Sequence, residues 1–338
     1  MLCCGGDTQT SVDSSDERWL DCVEETSNNS QWMTNLPKEL TMLPITRLAI
    51  PGSHDSGAYY LDPKSPICPD ESSVIKWAGK YGWGKKIIIR WSITQKSTIT
   101  QQLNAGIRYF DMRIGYLDDR KDFFFVHGCY GYPISNLLEE MQHFLKSHPK
   151  EVLIVDFNHF YSFSDAIHDE FSALVLKYFK SLLYPCDKAT SLEVSLNDMW
   201  ESEKQIIARY TSSYVCDKEC QFWSEKFIDT PWFNTDDIDK LITCLDGRFD
   251  TLTKGVLNIY QAILTPQTST IIFHVTSSLE KHLAVPGNAR VKTWLESVYN
   301  QKKMGVNIVI CDFELLCGMV PYVLKLNDLL LTKVKGEK

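Results

Sequence analysis

Residues 151–159, EVLIVDFNH, form a nearly continuous apolar run that ends in polar side chains. Such a run is typical of a strand buried on both faces, as in a parallel sheet covered by helices. The segment before it, PISNLLEEMQHFLKSHP, has apolar residues at helical spacing, and a second helix is predicted over 164–183. Together these segments predict a unit in which strands and helices alternate.

The same alternation continues along most of the chain, and short connections of this kind favour parallel strands in one closed or nearly closed barrel. We predict an α/β fold with a single barrel domain at 36–338, after a polar N-terminal tail at 1–35. Residues 212–250 resemble a long excursion over one face. Further strands are predicted over 48–52, 107–115, 122–128, 204–210, 256–264 and 305–313. Further helices are predicted over 97–106, ended by Gly106, over a short segment capped by Ser195, and over 290–303.

The composition is that of a globular protein, with 44% hydrophobic and 23% charged residues among 338. A net charge of −8 argues against a nucleic-acid-binding protein, which normally has a basic surface. The eleven cysteines do not form a disulfide framework, and Cys216 and Cys220 have no second pair at zinc-site spacing.

No secretory segment or apolar run of about 18 residues is present. We expect a cytoplasmic protein with peripheral membrane association. Cys3 and Cys4 are candidates for palmitoylation, although two unmodified thiols are at least as consistent with the sequence.

Polar side chains recur where the predicted strands end, and these ends form the working face of a βα barrel. A single histidine there is more often structural, but two histidines, an arginine and an aspartate at one rim are hard to attribute to packing. The residues at the strand ends are His54, Arg113, His127, Asn158, His159, Arg209, Tyr210, Gln261 and Asp312.

Residues 51–59, PGSHDSGAY, place Ser53, His54 and Asp55 side by side. Neighbours in an extended segment point to opposite faces, so these three side chains cannot form a hydrolase triad among themselves. Two histidines and an arginine without a serine or cysteine nucleophile instead indicate acid–base chemistry. One histidine would accept a proton from a hydroxyl and the other would donate one to a leaving oxygen, while the arginine stabilises a phosphodiester. A metal site is the competing use of such residues, but no H-x-H or H-x3-H pair occurs.

At these positions the sequence resembles the X domain of phosphatidylinositol-specific phospholipase C, and more closely the animal X-domain-containing proteins. The resemblance implies an irregular (β/α)8 TIM-type barrel and cleavage of phosphatidylinositol into diacylglycerol and an inositol phosphate through a 1,2-cyclic phosphate. The stretches that carry it, between residue 45 and about 330, are LAIPGSHDSGAY, WSITQ, TQQLNAGIRYFDMRIG, FVHGCYG, HPKEVLIVDFNHFY and NIVICDF.

The resemblance also implies roles for individual residues. His54 matches the general base that deprotonates the inositol 2-hydroxyl, and His127 matches the general acid that protonates the diacylglycerol oxygen. Asp312 matches the carboxylate that orients the base. Asp55 matches the carboxylate associated with the acid and with Arg113.

The subfamilies that the sequence resembles differ in whether they require calcium. In the large eukaryotic phospholipases C an acidic cluster binds calcium, and the corresponding positions here are Asp55, Asp111, Arg113 and Asn158. Arg113 puts a guanidinium where the metal would lie, as in the metal-independent bacterial enzymes, and two like charges would repel each other there. We therefore predict no obligatory calcium and no other cofactor.

Substrate contacts and partners are less specific. Arg209, Tyr210, Asn158 and His159 are candidate substrate-binding residues, although a structural role for Arg209 is equally consistent with the sequence. The expected substrate is phosphatidylinositol, with phosphorylated phosphoinositides as further candidates; no nucleic acid and no obligate protein partner is expected. Aromatic residues that could contact the membrane are Trp83, Trp91, Trp223, Trp232 and Phe233.

Two alternatives to an enzyme of phosphoinositide signalling could use the same fold. A weakly active phosphoinositide-binding or scaffold protein could retain the barrel, but it has no evident need for two acid–base histidines. A glycerophosphodiesterase on the same fold is disfavoured, because the chain lacks that family's His-Arg-Gly opening and acidic metal cluster.

Overall fold

The computed structural model describes residues 29–187, 189–316 and 318–337. The predictions for Cys3 and Cys4, and most of the predicted tail, lie outside these residues. No helix in the described part of the chain is both long enough and apolar enough to cross a membrane.

In the part of the chain that the structure describes, ten strands form one sheet, and eight of them are parallel neighbours that curl into a barrel. The order around the barrel is β7-β6-β5-β2-β1-β10-β9-β8, and β3 and β4 extend β2 as an antiparallel hairpin. Within the described residues no ladder joins β7 to β8, so the barrel wall is open there. The strands are β1 Ile50–Ser53, β2 Tyr109–Leu117, β3 Asp122–His127, β4 Cys129–Pro133, β5 Leu153–Tyr161, β6 Ile206–Tyr210, β7 Phe222–Trp223, β8 Ile228–Asp229, β9 Leu257–Gln261 and β10 Ile308–Cys311.

Helices cover the outside of the sheet, which confirms the predicted irregular (β/α)8 barrel. Two predicted boundaries have the expected physical cause: Gly106 ends α4 with a φ of 109°, and Ser195 caps α7 in a capping box with Asp198. The helices are α1 Lys38–Thr41, α2 Ser73–Ala78, α3 Gly82–Ser92, α4 Ile99–Ala105, α5 Ile134–Ser147, α6 Asp165–Phe179, α7 Leu196–Glu201, α8 Ser213–Cys216, α9 Ile238–Gly247, α10 Thr268–Phe273, α11 Val285–Asn300 and α12 Met319–Gly336.

One sequence interpretation is corrected. Residues 212–250 are not simply an excursion, because they contain β7 and β8, two-residue strands too short to produce a periodic signal. Residues 270–275, TIIFHV, have a strand-like composition but contribute to helix α10, since local β-propensity is easily overridden by tertiary context.

Side chains alternate across the barrel wall and separate an interior cluster from the helix layer. Ile50, Ile154 and Ile308 belong to the interior cluster, whereas Phe110 and Val155 pack in a cluster with the surrounding helices. The apolar interior cluster fills the end of the barrel where the strands begin. The opposite end is therefore free for polar residues.

A buried ion pair binds residues 30–34 at the end of the barrel where the strands begin. Arg108 and Glu151, which precede β2 and β5, are both fully buried, with Nη2 2.8 Å from Oε2. Glu151 accepts hydrogen bonds from the Thr34 main-chain N–H (2.8 Å) and hydroxyl (2.6 Å), and Arg108 donates to the Ser30 carbonyl (2.8 Å). The indole N–H of Trp32 adds a bond to the Gly106 carbonyl at 2.9 Å. Residues 30–34 are thus held at the end of the barrel away from the polar rim.

Candidate active site

Four strands bring the predicted catalytic residues together. His54 and Asp55 follow β1, Arg113 lies in β2, His127 ends β3, and Asp312 follows β10. Because β10, β1 and β2 are adjacent and parallel, their carboxyl ends meet at the same rim.

His54 is held between a carboxylate and a guanidinium. Its Nδ1 lies 2.6 Å from Asp312 Oδ1, and its Nε2 lies 3.1 Å from Arg113 Nη2. Since the guanidinium can only donate, this geometry favours the tautomer with the proton on Nδ1 and a lone pair on Nε2. Burial lowers the pKa of His54, but the nearby charges of Asp55 and Asp312 raise it by more, so the net result is a pKa of about 9. The ring is therefore a strong proton acceptor whose neutral fraction grows with pH.

Asp55 connects the two histidines and the arginine. Its carboxylate is fully buried, contacts Arg113 Nε through Oδ1, and lies with Oδ2 3.4 Å from His54 Nε2 and 3.3 Å from His127 Nε2. Burial opposes its ionisation, but Arg113 and then the two histidines hold its pKa below the usual value. The residue has a φ of 43°, a left-handed conformation rare outside glycine and often found at functional sites.

His127 presents both ring nitrogens to acceptors. Nδ1 lies 2.6 Å from the Ser92 carbonyl oxygen, and Nε2 faces Asp55. Gly128, with a φ of 66°, permits this approach because a Cβ at that position would collide with Ser92. The rings of His54 and His127 have centroids 6.5 Å apart and an interplanar angle of 74°. An imidazole with acceptors at both nitrogens is well suited to carry and donate a proton.

Ser53 belongs to the scaffold of the turn and not to the reaction centre. Its hydroxyl is hydrogen-bonded to that of Ser56 (2.6 Å) and to Gln102 Oε1 (2.8 Å), and the Ser56 hydroxyl accepts from the Asp111 main-chain N–H (2.8 Å). Gln95 Nε2 donates to the His54 carbonyl at 2.7 Å. These contacts, all buried or nearly so, fix the backbone on which His54 and Asp55 are carried.

A second polar layer lies below the histidines. Arg209 Nε is 2.8 Å from Asp156 Oδ1, and the Tyr109 hydroxyl donates to Asp156 Oδ2 at 2.5 Å. The Asn158 amide donates to Asp111, whose Oδ2 also accepts from the Asp55 main-chain N–H at 3.0 Å. Burial raises the pKa of Asp156 even though Arg209 lies beside it. Arg209 and Asn158 therefore lie in the barrel interior close to the reaction centre.

Two of the candidate substrate-binding residues lie elsewhere. Tyr210 is fully buried in the helix layer, with its hydroxyl 2.9 Å from His168 Nδ1, which corrects the prediction that it lines the site. The reason is strand alternation, because Arg209 and its neighbour point to opposite faces. His159 lies at the outer rim, 3.3 Å from Asp70 and about half exposed. It pairs with Arg113 in the ladder between β2 and β5, and Asn158 before it is left unpaired in a bulge, since Met112 pairs with Phe157.

From the sequence, Asp111 was named only as the counterpart of a calcium-cluster position, yet it is central to the layer below the histidines. Its Oδ2 lies 3.8 Å from His54 Nε2 and 3.7 Å from Arg113 Nη2. The signal was available, since Asp111 and Arg113 are two residues apart in β2 and must face the same side. Gln95 was also missed, because its contact with His54 depends on long-range folding.

A metal ion would have to compete with Arg113. Ligand atoms of His54, Asp55 and Asp111 lie within 4.8 Å of one another, which is close enough to hold an ion. However, the Arg113 guanidinium contacts Asp55 directly and lies 3.7 Å from Asp111. Because a dication beside this fixed positive charge would be repelled, the residues fit the guanidinium better than a metal.

No protein-family model matches the sequence. Among curated proteins, the chain is 35% identical over 306 residues to mouse PI-PLC X domain-containing protein 2, covering 89% of this chain and 88% of the relative. It is 37% identical over 259 residues to the human protein of that name, covering 75% and 84%. Zebrafish PI-PLC X domain-containing protein 3 is 35% identical over 304 residues, covering 88% and 93%.

Solved structures show the same fold at lower identity. The phosphatidylinositol-specific phospholipase C from Listeria monocytogenes superimposes with a TM-score of 0.62 at 21% identity, covering 88% of this chain and 98% of the bacterial one. A Staphylococcus aureus phosphatidylinositol-specific phospholipase C gives 0.61 at 18% identity, covering 89% and 98%. At identities this low, the structural similarity shows only that the barrel fold is shared.

Proposed function

The chain belongs to the family of PI-PLC X domain-containing proteins, and from that premise we propose that it is a phosphatidylinositol phospholipase C. It would cleave phosphatidylinositol into diacylglycerol and an inositol phosphate, by way of the cyclic phosphate, without obligatory calcium. The observation that carries the proposal is the pair of histidines on one rim, 6.5 Å apart between ring centroids, with Asp55 and Arg113 in contact with them. A site that only bound a head group would have no need of both rings.

In the proposed first step, His54 Nε2 accepts the proton of the inositol 2-hydroxyl and that oxygen attacks phosphorus. The bond from phosphorus to the diacylglycerol oxygen breaks, and His127 donates its proton to the leaving oxygen. The products are diacylglycerol and the 1,2-cyclic phosphate. In the second step the roles reverse: His127 accepts a proton from a water molecule, whose oxygen attacks phosphorus, and the bond from phosphorus to the 2-oxygen breaks as His54 returns a proton to that oxygen.

Arg113 and the carboxylates supply the electrostatic part of this mechanism. The guanidinium would stabilise negative charge as it spreads over the phosphoryl oxygens. Asp312 holds the Nδ1 proton of His54 and favours the imidazolium that forms when Nε2 takes up a second proton. Asp55 keeps Arg113 in place and remains ionised throughout.

The second polar layer favours an unphosphorylated inositol ring. Asp111, Asp156 and Asn158 offer oxygen atoms and an amide that suit hydroxyl groups. Arg209 is already paired with Asp156 and so is poorly placed to neutralise an extra phosphate. Phosphatidylinositol is therefore the proposed substrate, with phosphorylated phosphoinositides as weaker candidates.

Hydrolysis of phosphatidylinositol in mixed micelles tests the proposal, and we expect the rate to be unchanged within about twofold when a calcium chelator is added. The reason is that Arg113 provides the positive charge which calcium would otherwise supply. The released products should be diacylglycerol and inositol cyclic phosphate, identified by mass spectrometry. Loss of activity on chelation, restored by calcium, would contradict the metal-independent mechanism.

The same assay separates the enzyme from the scaffold alternative. Protein that binds phosphatidylinositol micelles but releases no diacylglycerol, with or without calcium, would favour a phosphoinositide-binding scaffold. A scaffold would bind equally well after loss of either histidine.

Peripheral membrane contact is the second part of the proposal, together with a cytoplasmic location. The connections after β1 and β9 expose large apolar side chains near the rim, among them Trp83 (61% exposed) and Phe273 (79%). Arg90 links these two segments by donating to the carbonyls of Val275 (2.6 Å) and Thr276 (3.3 Å). Of the aromatic residues named from sequence, Trp232 is also exposed, but Trp91 and Trp223 are buried and Phe233 is partly buried.

We expect the double substitution Trp83→Ala with Phe273→Ala to weaken partitioning onto phosphatidylinositol-containing vesicles by about tenfold or more. Each large side chain transferred from water contributes roughly 1.5–3 kcal/mol when fully buried, and insertion into an interface is partial. Vesicle co-sedimentation measures the partitioning. Met42→Ala is the matched control, since Met42 is 52% exposed and precedes β1 at the opposite end of the barrel. An equal loss in the control would contradict a rim contact.

A further inference from the structure

Glu314 is a buried carboxyl group with no assigned role. It lies two residues after Asp312, and only 1% of it is exposed. Within the described residues it has no ion-pair partner, and neither carboxylate oxygen has a well-directed hydrogen bond, although Gln95 lies close enough to favour the charged form. A buried carboxyl without a cation is rare, because the ionised form loses its hydration without compensation.

The turn that contains Glu314 also carries the carboxylate of the proposed base. Phe313, between Asp312 and Glu314, has a φ of 51°, and its N–H donates to the Thr94 carbonyl at 2.7 Å. Asn288 Nδ2 donates to the Asp312 carbonyl at 2.7 Å. A left-handed conformation at a phenylalanine persists only where the surroundings hold it. The other residues of this turn, including Glu314, therefore affect the position of Asp312.

Gln95 gives Glu314 a second connection to the site. The Gln95 amide lies beside the Glu314 carboxyl and donates to the carbonyls of His54 (2.7 Å) and Cys311 (3.3 Å). A negative charge on Glu314 would attract this amide away from the His54 carbonyl and would repel Asp312. A neutral carboxylic acid would do neither.

We propose that Glu314 is a positioning residue for the His54–Asp312 pair: it supports the turn as a neutral acid, and its ionisation disturbs the turn and limits activity at alkaline pH. The inference rests on the proposed phospholipase activity. It adds a second control on the alkaline side of the pH profile, beside the requirement that the general acid be protonated.

The ionisation of Glu314 has a defined pH range. Burial raises its pKa from an ordinary value of 4.5 to about 8, and the nearby Asp312 charge adds to the rise. Between pH 4.5 and about pH 8, Glu314 has lost its proton in the unfolded chain but keeps it in the folded chain. The unfolded state then binds fewer protons, so stability falls as the pH rises from 4.5 to 8 and levels off above 8. Over the upper part of this range His54 becomes increasingly neutral, so the two effects on activity oppose each other.

The test compares Glu314→Gln, which keeps the shape of the neutral acid but cannot ionise, with the wild type. The ratio of kcat/KM, variant over wild type, is expected to rise roughly tenfold between pH 6.5 and pH 9, since one pH unit above a pKa leaves about a tenth of the acid neutral. Glu296→Gln is the control, because it makes the same glutamate-to-glutamine substitution at a residue that is exposed on α11.

Thermal melting gives a readout that does not depend on activity. The midpoint of Glu314→Gln should exceed that of the wild type by about 5 °C at pH 8, with no difference near pH 4.5. A ratio of kcat/KM that stays constant with pH, or one that rises equally in Glu296→Gln, would overturn the positioning role even if the melting shift appears. An inactive wild type with the expected melting shift would instead place the failure in the proposed function.

Discussion

Replacing His54 with alanine is expected to lower kcat/KM for phosphatidylinositol by about 10³-fold, and replacing His127 with alanine should have a similar effect. Each substitution removes one of the two proton transfers, and general acid–base catalysis contributes about 10²–10⁴ per group. Asp312 and Arg113 remain in either variant, but neither can accept and then return a proton at the reacting oxygen. Hydrolysis in mixed micelles measures both rates.

The two histidines can be distinguished by the leaving group. A substrate with a more acidic leaving group, such as a nitrophenyl phosphodiester of inositol, needs little protonation at the departing oxygen. His127→Ala should recover most of its loss on that substrate, whereas His54→Ala should not, because the 2-hydroxyl still needs a base. His143→Ala, at an exposed histidine of α5, is the matched control. Equal losses on both substrates for both variants would contradict the assignment of acid and base.

Glu151→Ala should reduce the free energy of unfolding by about 3–5 kcal/mol, because it leaves the Arg108 guanidinium buried without its partner. The substitution also removes the acceptor for the Thr34 N–H and hydroxyl, so residues 30–34 lose their attachment beneath the barrel. Denaturant unfolding followed by tryptophan fluorescence measures the change, and Trp32 lies in the affected segment.

A surface ion pair provides the comparison. Arg290 Nη2 lies 2.6 Å from Asp239 Oδ1, but both side chains are more than half exposed. Arg290→Ala should therefore change stability by about 0–1 kcal/mol. Replacing Arg108 and Glu151 together with methionine should be less destabilising than Glu151→Ala alone, since no charge is then left unpaired. A double substitution as damaging as the single one would show that packing, and not charge pairing, dominates at this position.

The sequence predicted the barrel and the order of its long strands because nearly continuous apolar runs such as 153–157 indicate buried parallel strands. It could not reveal β7 and β8, since a strand of two residues has no period. It placed Arg209 and Tyr210 together at the rim, although adjacent strand residues must separate onto opposite faces. That error was avoidable from strand geometry alone.

Some residues of the candidate site could likewise be identified from the sequence, and others could not. Residues that lie at strand ends, such as His54, His127 and Asp312, could be identified by position and by the resemblance to a known family. The resemblance also associated Asp55 with His127 and Arg113, but the approach of Asp55 to His54 could not be predicted, because it depends on a left-handed backbone conformation at a non-glycine residue. The role of Gln95 depends on packing between segments about 40 residues apart, which no local pattern encodes.

The position of Asp55 between the two rings has a consequence for how this family can change over time. Because one carboxylate contacts the proposed acid, the proposed base and the arginine, the effects of losing these residues are expected to be far from additive. A descendant that abandoned hydrolysis would have no reason to retain the remaining members. Across relatives, we expect these positions to be kept together or lost together, so that a member with a partial set marks a lineage in transition from enzyme to binding protein.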